Sequence, residues 1–504
     1  MTELALEVDD IQGHVLVGFG GGHEILLGLR FRPGSVAAGK AALLSCIDWV
    51  TPARASVAAR EMRRSGISGA GPTPDMGKAG MSISFSHPGL QLLGPFAGPQ
   101  DIFFRQGAFE SASSLGDEVA EDGLPRDWQV GGDADSTPHV FLVLAATSLE
   151  VVESAEVSLM TLLSAQLDTI YRRYGRRLQC EREHFGFVDG ISQPAPRGDV
   201  GVTPLIDREY ASDHPMSPDY ARPGQPLVWP GQFLFGYPSQ QAESHDPGAD
   251  LGGGDLLLRN GSLLVFRQLR QDVAAFTAAM KQLARDFTDA GLAIDEATAA
   301  AWCVGRWPDG TPVSVSPQGP SDAISGDSYR RNGFLFRSKL DAAVLTDRKG
   351  IAHPFPGSPH DRLGKSCPLF SHIRKVNPRD LGPDQGGSGV TLKSQMLRRG
   401  IPYGPDWTGT ADGEDRGLLF LAYQTSIENQ FHRLMTLWVN NPSAPHGQGI
   451  DPVIGAPQGG RVLTRMPADN RNYNATLPGR WVTATGAGYF FAPGIQALKA
   501  ILTQ

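Results

Sequence analysis

Ser262-Leu263-Leu264-Val265-Phe266 is a short apolar run, and Val273, Phe276, Met280 and Leu283 follow it at spacings of three and four. Such a run reads as a buried strand, and those spacings read as a helix that turns one face to a core. The pattern recurs twice. His139-Val140-Phe141-Leu142-Val143-Leu144 precedes Val152, Leu159, Met160 and Leu163, and Gly417-Leu418-Leu419-Phe420-Leu421 precedes Ile427, Phe431, Leu434 and Trp438. A weaker unit joins Met81–Phe85 to Leu90–Leu93. Strand–helix units joined by long polar connections predict an α+β architecture rather than a tightly alternating doubly wound sheet.

Those connections hold much of the chain's 61 glycines and 38 prolines, about a fifth of its 504 residues against roughly 12% in an average protein. They cluster in residues 205–232, 243–254 and 351–368, and the first stretch predicts a boundary near residue 220. Hydrophobic residues at 40% suffice for a sizeable core and exclude a disordered chain. The net charge of −8 gives no general attraction to nucleic acid. The best basic stretch, Tyr171–Arg177, reads as a solvated helix end. Cys46, Cys180, Cys303 and Cys367 lack CxxC spacing, which excludes a paired-cysteine zinc ribbon and a CxxCH haem attachment. No apolar run approaches the ~18 residues of a membrane span. The opening ten residues carry four acids and no basic segment, so a cytoplasmic location is expected.

Four stretches are candidates for chemistry. Gly18-Phe19-Gly20-Gly21-Gly22-His23 misses the GxGxxG spacing and reads as a turn. In Gly186-Phe187-Val188-Asp189-Gly190 the Asp-Gly pair signals a turn, but Phe185, Phe187, Val188 and Ile191 are expected to shield Asp189 from water, which suits a carboxylate that moves protons. Ser366–Arg379 reads as a short helix capped by Ser366 and ended by Pro378; His372 within it is either a hydrogen-bonded core residue or a ligand. Arg398 and Arg399 precede the turn Gly400–Pro405. Either this is a plain surface turn, or one arginine points into a dry pocket as a fixed positive charge. There is no HExxH and no GxSxG, so zinc and serine hydrolase readings lose support.

Taken in order, Asp10-Ile11-Gln12-Gly13, GFVDGISQP (186–194), PGQFLFGY (230–237), GSLLVFRQL (261–269), GRWPDGTP (305–312), HIRKVNPR (372–379), RRGIPYGP (398–405) and RGLLFLAYQ (416–424) resemble the dye-decolourising peroxidases, in their longer, loop-rich variant. The resemblance implies two ferredoxin-like halves of the dimeric α+β barrel type, residues 1–220 and 221–504, with antiparallel sheets, helices and a haem in the C-terminal half. It implies a non-covalent b-type haem with His372 as the axial ligand to iron and Asp451 as the acid behind it. Ile191, Leu418 and Phe420 would shape the pocket and Arg379 would hold a propionate. Asp189 would move a proton between the oxygens of hydrogen peroxide, and Arg398, with Arg399 as runner-up, would stabilise the charge released. Aromatic reductants too bulky for the pocket would be oxidised through a surface aromatic, Tyr403 first and Trp307 second. The alternative is a haem- or porphyrin-binding or iron-releasing protein with incidental peroxidation. Neither reading involves nucleic acid or a membrane, and neither fixes the oligomeric state.

Overall fold

The computed structural model describes residues 4–66, 72, 78–96, 98–240, 256–383, 387–456, 461–467, 469–477 and 479–504. Its centre is an antiparallel sheet that closes on itself. The first half supplies β1 (His23–Phe31), β2 (Gly80–Phe85), β3 (Val140–Ala146) and β4 (Leu167–Arg176), in the spatial order β4-β1-β3-β2. The second half supplies β5 (Ser262–Gln271), β6 (Leu397–Arg398), β7 (Ile401–Tyr403), β8 (Gly417–Gln424) and β9 (Val482–Ala492). There β8 lies between β5 and the short pair β6 and β7, and β9 flanks β5 on the far side. Each half thus has the β-α-β-β-α-β connectivity of a ferredoxin-like unit.

The halves join at two narrow seams, Phe85 opposite Phe491 and Gly175 opposite Tyr403. Alternation along the strands then separates two cores. Leu26, Phe141, Val143, Phe266, Leu421 and Phe490 fill the barrel, where Phe141 stacks on Phe490 at 4.6 Å and meets Phe266 at 4.9 Å. Ile25, Leu27, Leu142 and Leu144 point outward beneath helices such as α1 (Leu149–Leu163), whose Val152, Leu159 and Leu163 are buried. In the second half α2 (Val273–Asp289) buries Val273, Phe276, Met280 and Leu283, the positions expected to face a core.

Several local expectations are corrected. Tyr171–Arg177 is not a helix end: Tyr171 to Arg176 belong to β4, where Tyr171 turns into the barrel and Arg172 pairs with Glu156 on α1. The helix after β8 is wound in wide π turns over Ile427–His432 and Met435–Val439. The helix around His372 is shorter than expected. It spans only α3 (His372–Val376), and Ser371, not Ser366, precedes it. The Ser371 hydroxyl donates to the Trp302 carbonyl, so its side chain does not cap the helix. The Gly/Pro stretch 243–254 lies outside the described residues. No helix among the described residues is long and apolar enough to cross a membrane.

Candidate active site

A cavity of about 380 Å³ opens between the outward face of β5, β8 and β9 and the π-wound helix. In β8 the positions alternate, so Leu418 and Phe420 stay half-buried and face the cavity while Leu419 and Leu421 are buried in the barrel. Leu269, opposite Leu418, lines it from β5, and Phe431, Leu434 and Met435 line it from the π-wound helix.

His372 stands on one wall, delivered by α3. Arg374 fixes that helix through a buried pair with Asp361 at 2.8 Å and by lying 3.8 Å over the Phe336 ring. The His372 Nδ1 donates to Asp451 Oδ2 at 2.8 Å. That bond leaves Nε2 for another partner, and a quarter of the side-chain surface stays accessible on the cavity side. Asp451 is fully buried and held by its own turn: its Oδ1 accepts the backbone N–H groups of Val453 and Ile454. Lys375, one turn from His372, donates to the carbonyls of Asn441 and Gly449 and so ties the Asp451 loop to α3. Burial works to lower the His372 pKa, but the charge and hydrogen bond of Asp451 outweigh it and the net shift is upward. Burial likewise works to raise Asp451, and the His372 charge and hydrogen bond with the two N–H groups hold it below the usual carboxylate range.

The GFVDGISQP loop and Arg398 line the same cavity. Gly186 and Gly190 take φ of +92° and +75°, which a side chain would resist, and between them Asp189 is presented with its Oδ1 accepting from the Gly190 N–H. The expectation that apolar neighbours enclose Asp189 is corrected. Phe185 stacks on Phe276 at 4.3 Å and Phe187 joins the core cluster around α2, so both rings turn away and the carboxylate stays exposed on the cavity wall. Arg398 is latched to the same loop: its guanidinium donates to the Ser192 carbonyl at 2.5 Å, and its backbone exchanges hydrogen bonds with the Gln193 side chain. The charges of Arg398 and Asp189 both act on His372 across the cavity.

Arg399 has a different duty. Its guanidinium donates to the carbonyls of His14, Val15 and Leu16, which closes the last turn of the short helix Gly13–Leu16. Arg379 lines the cavity edge, stacked 3.7 Å over Phe334, with its donors on the carbonyls of Gly224, Asn332 and Phe334 and on the Ser192 hydroxyl. Burial brings its pKa down only to about 10, so it remains a cation near neutral pH. Ile191 also lines this cavity.

The two surface aromatics are corrected. Tyr403 is 1% exposed because the barrel seam turns its ring inward, where its hydroxyl donates to Asp415 at 3.0 Å. Trp307 is 4% exposed, with its indole N–H on the Ser316 carbonyl. Neither reaches the surface. Sequence reasoning also passed over three participants. Ser192 and Arg306 sit inside quoted motifs, and their side chains bond to each other at 3.1 Å. Glu183 lies just ahead of the signature; burial pushes its carboxyl up to about 7 although the N–H groups of Phe185 and Phe187 and the Gln271 amide donate to it.

The residues fit a flat apolar macrocycle carrying iron and carboxylates: an imidazole with one nitrogen fixed by a buried acid, an apolar cleft, and cations at the cleft's edge. Asp451→Asn keeps an acceptor for Nδ1 but removes the charge, so haem affinity is expected to fall about 10–100-fold in a haem titration.

The chain is similar to known proteins over nearly its whole length. Residues 10–177 match the DyP dimeric alpha+beta barrel domain, and residues 333–447 match the C-terminal part of Dyp-type peroxidases. A dye-decolorizing peroxidase of Mycena epipterygia is 31% identical over 447 residues, covering 84% of this chain and 76% of that protein. The multifunctional dye peroxidase DyP2 of an Amycolatopsis species is 29% identical, with 85% and 83% covered. Among solved structures, an ancestral D-type dye decolorizing peroxidase superposes with a TM-score of 0.77 at 27% identity over 99% of both chains. A dye-decolorizing peroxidase in complex with 2,6-dimethoxyphenol superposes with a TM-score of 0.72 at 26% identity, over 99% of this chain and all of that one.

Proposed function

Because the chain belongs to the dye-decolourising peroxidase family and is an oxidoreductase of that class, we propose that it binds a non-covalent b-type haem in the cavity between His372 and the Asp189–Arg398 wall. There it reduces hydrogen peroxide, and it oxidises dyes and phenols in one-electron steps. The observation that carries this reading is that an Asp451-backed imidazole and an acid–arginine pair line one cavity. The 2,6-dimethoxyphenol bound to a solved relative supports phenolic donors. We also keep the division into halves at residue 220. A cytoplasmic site of action remains part of the proposal, in keeping with four cysteines that are all free.

Haem, when bound, supplies the iron that engages peroxide and the redox capacity to withdraw electrons from donors. His372 would hold that iron through Nε2, and the Asp451 carboxylate on Nδ1 keeps the ring oriented and electron-rich. Ile191, Leu418 and Phe420 provide apolar surface, while Arg379 and Arg306 place cations for the propionates. Asp189 accepts a proton from one peroxide oxygen and returns it to the departing one. Arg398, held by the Ser192 carbonyl, offers its remaining N–H groups to the negative charge that develops.

Reconstitution tests this directly. Protein purified with haem supplied is expected to show a Soret band and to consume hydrogen peroxide with an anthraquinone dye. Haem retention without turnover would support the binding-protein reading instead, and no Soret band would dismiss both.

A further inference from the structure

A second cavity, of about 340 Å³, lies on the other side of the Asp189–Arg398 wall. Asp189, Gly190, Arg398, Gly400, Leu418 and Glu183 line both spaces, so the two adjoin at the acid–arginine pair. The cavity around His372 is largely apolar, whereas this one is walled by charged side chains. At its other side stands Glu24.

Glu24 breaks the pattern of β1. Ile25 and Leu27 face outward and Leu26 faces the barrel interior, so alternation turns Glu24 inward with Leu26. The residue is only 6% exposed, it forms no ion pair among the described residues, and its Oε2 is buried without a hydrogen-bond partner. A buried carboxylate left in that state is costly, and the neutral acid is the form such a site tolerates. The groups around it do not change this. Arg399 spends its donors on the carbonyls of the Gly13–Leu16 helix, and Arg177 lies 3.6 Å from Glu181. His14, hydrogen-bonded to the Tyr423 hydroxyl, is kept neutral, since burial and then the Arg399 charge push its pKa down to about 3. Arg63 completes the charged wall. Burial raises the Glu24 carboxyl to about 8, against the lowering influence of Arg177 and Arg399.

Reducing one hydrogen peroxide to two waters consumes two protons as well as two electrons. The protons are needed at the oxygens, in the cavity that Asp189 and Arg398 line. We propose that the second cavity is the proton entrance of the enzyme, with Glu24 as the buried acid that protonates Asp189 during the donor-dependent steps, in which the two protons are taken up with the two electrons. In this step the O–H bond of the Glu24 carboxyl breaks, and its proton passes along water in the polar cavity to the Asp189 carboxylate. Glu24 then regains a proton from solvent. Glu24 acts through Asp189 and touches neither peroxide nor haem, so the inference rests on the role given to Asp189 above.

Glu24→Gln keeps the shape of the side chain and removes its acidic proton. The first measurement is thermal unfolding of the haem-loaded wild type and variant against pH. The folded wild type retains a proton that the unfolded chain releases near 4.5, so its melting temperature is expected to fall relative to E24Q between about 4.5 and about 8 and to level off above. The second is the rate of the donor-dependent steps, which take up the two protons. The wild type is expected to slow as pH rises through about 8, while E24Q is slower by about tenfold or more below that pH and lacks the alkaline decline. Glu24→Asp restores part of the rate together with the decline. Melting curves that stay parallel at every pH, or an E24Q enzyme with the wild-type rate and decline, overturn the proposal. Should E24Q not fold, a wild type without an alkaline decline overturns it equally. An Asp189→Asn enzyme with an undiminished peroxide step instead removes the role of Asp189, an outcome separate from failure of Glu24 alone.

Discussion

His372→Ala is expected to abolish the Soret band at stoichiometric haem and to lower peroxide-dependent dye oxidation by more than about a hundredfold, beyond the loss typical of a supporting residue. The ring faces the cavity, and α3 is anchored by Arg374 and Lys375, so circular dichroism should show the fold intact. Asp451 would be left with its Val453 and Ile454 donors but no imidazole. Imidazole added to the variant should therefore enter the vacated space, donate to the same buried carboxylate and recover part of the haem binding. If the variant binds haem as tightly as the wild type, His372 is not the ligand.

Asp189→Asn is expected to act on a different quantity. The amide oxygen still accepts from the Gly190 N–H and the turn between two positive-φ glycines persists, so haem affinity should hold. The peroxide-dependent step, followed by rapid mixing, should slow by about 10²–10⁴-fold because an amide cannot carry the proton. A variant that reacts with peroxide at the wild-type rate would move the proton-transfer role elsewhere on the wall.

The strand–helix units were legible because each buries one contiguous apolar run and one helical face, and both periods survive in the sequence as spacings. That His372, Asp189 and Arg398 share one cavity was legible through the ordered motifs that carry the resemblance. What escaped was decided by partners far along the chain. Tyr403 looked like a surface aromatic beside a turn, yet Gly175, more than two hundred residues earlier, pairs with it and turns it into the barrel. Asp189 looked shielded by Phe185 and Phe187 until Phe276 on α2 drew the first ring away. Arg398 and Arg399 are chemically identical in the sequence. Only the carbonyls of Val15 and Leu16 reveal which of the two is occupied. Glu24 carried no local signal beyond an acid among leucines, and its meaning depends on the cavity at its side.

The seams of the barrel bear on the order in which it is assembled. All four strands of the first half lie within residues 23–176, so that sheet has its partners early in synthesis. The second half does not. Its β5 must wait for Val482–Ala492, which pairs with it along ten residues and also meets β2 across the seam. The C-terminal helix Ile495–Thr503 then packs Leu498 and Ile501 into the first-half core. Contacts of such long sequence separation form slowly because loop closure precedes their reward. Residues 482–503 thus close the ring, and removing them would leave edges of both halves open to aggregation.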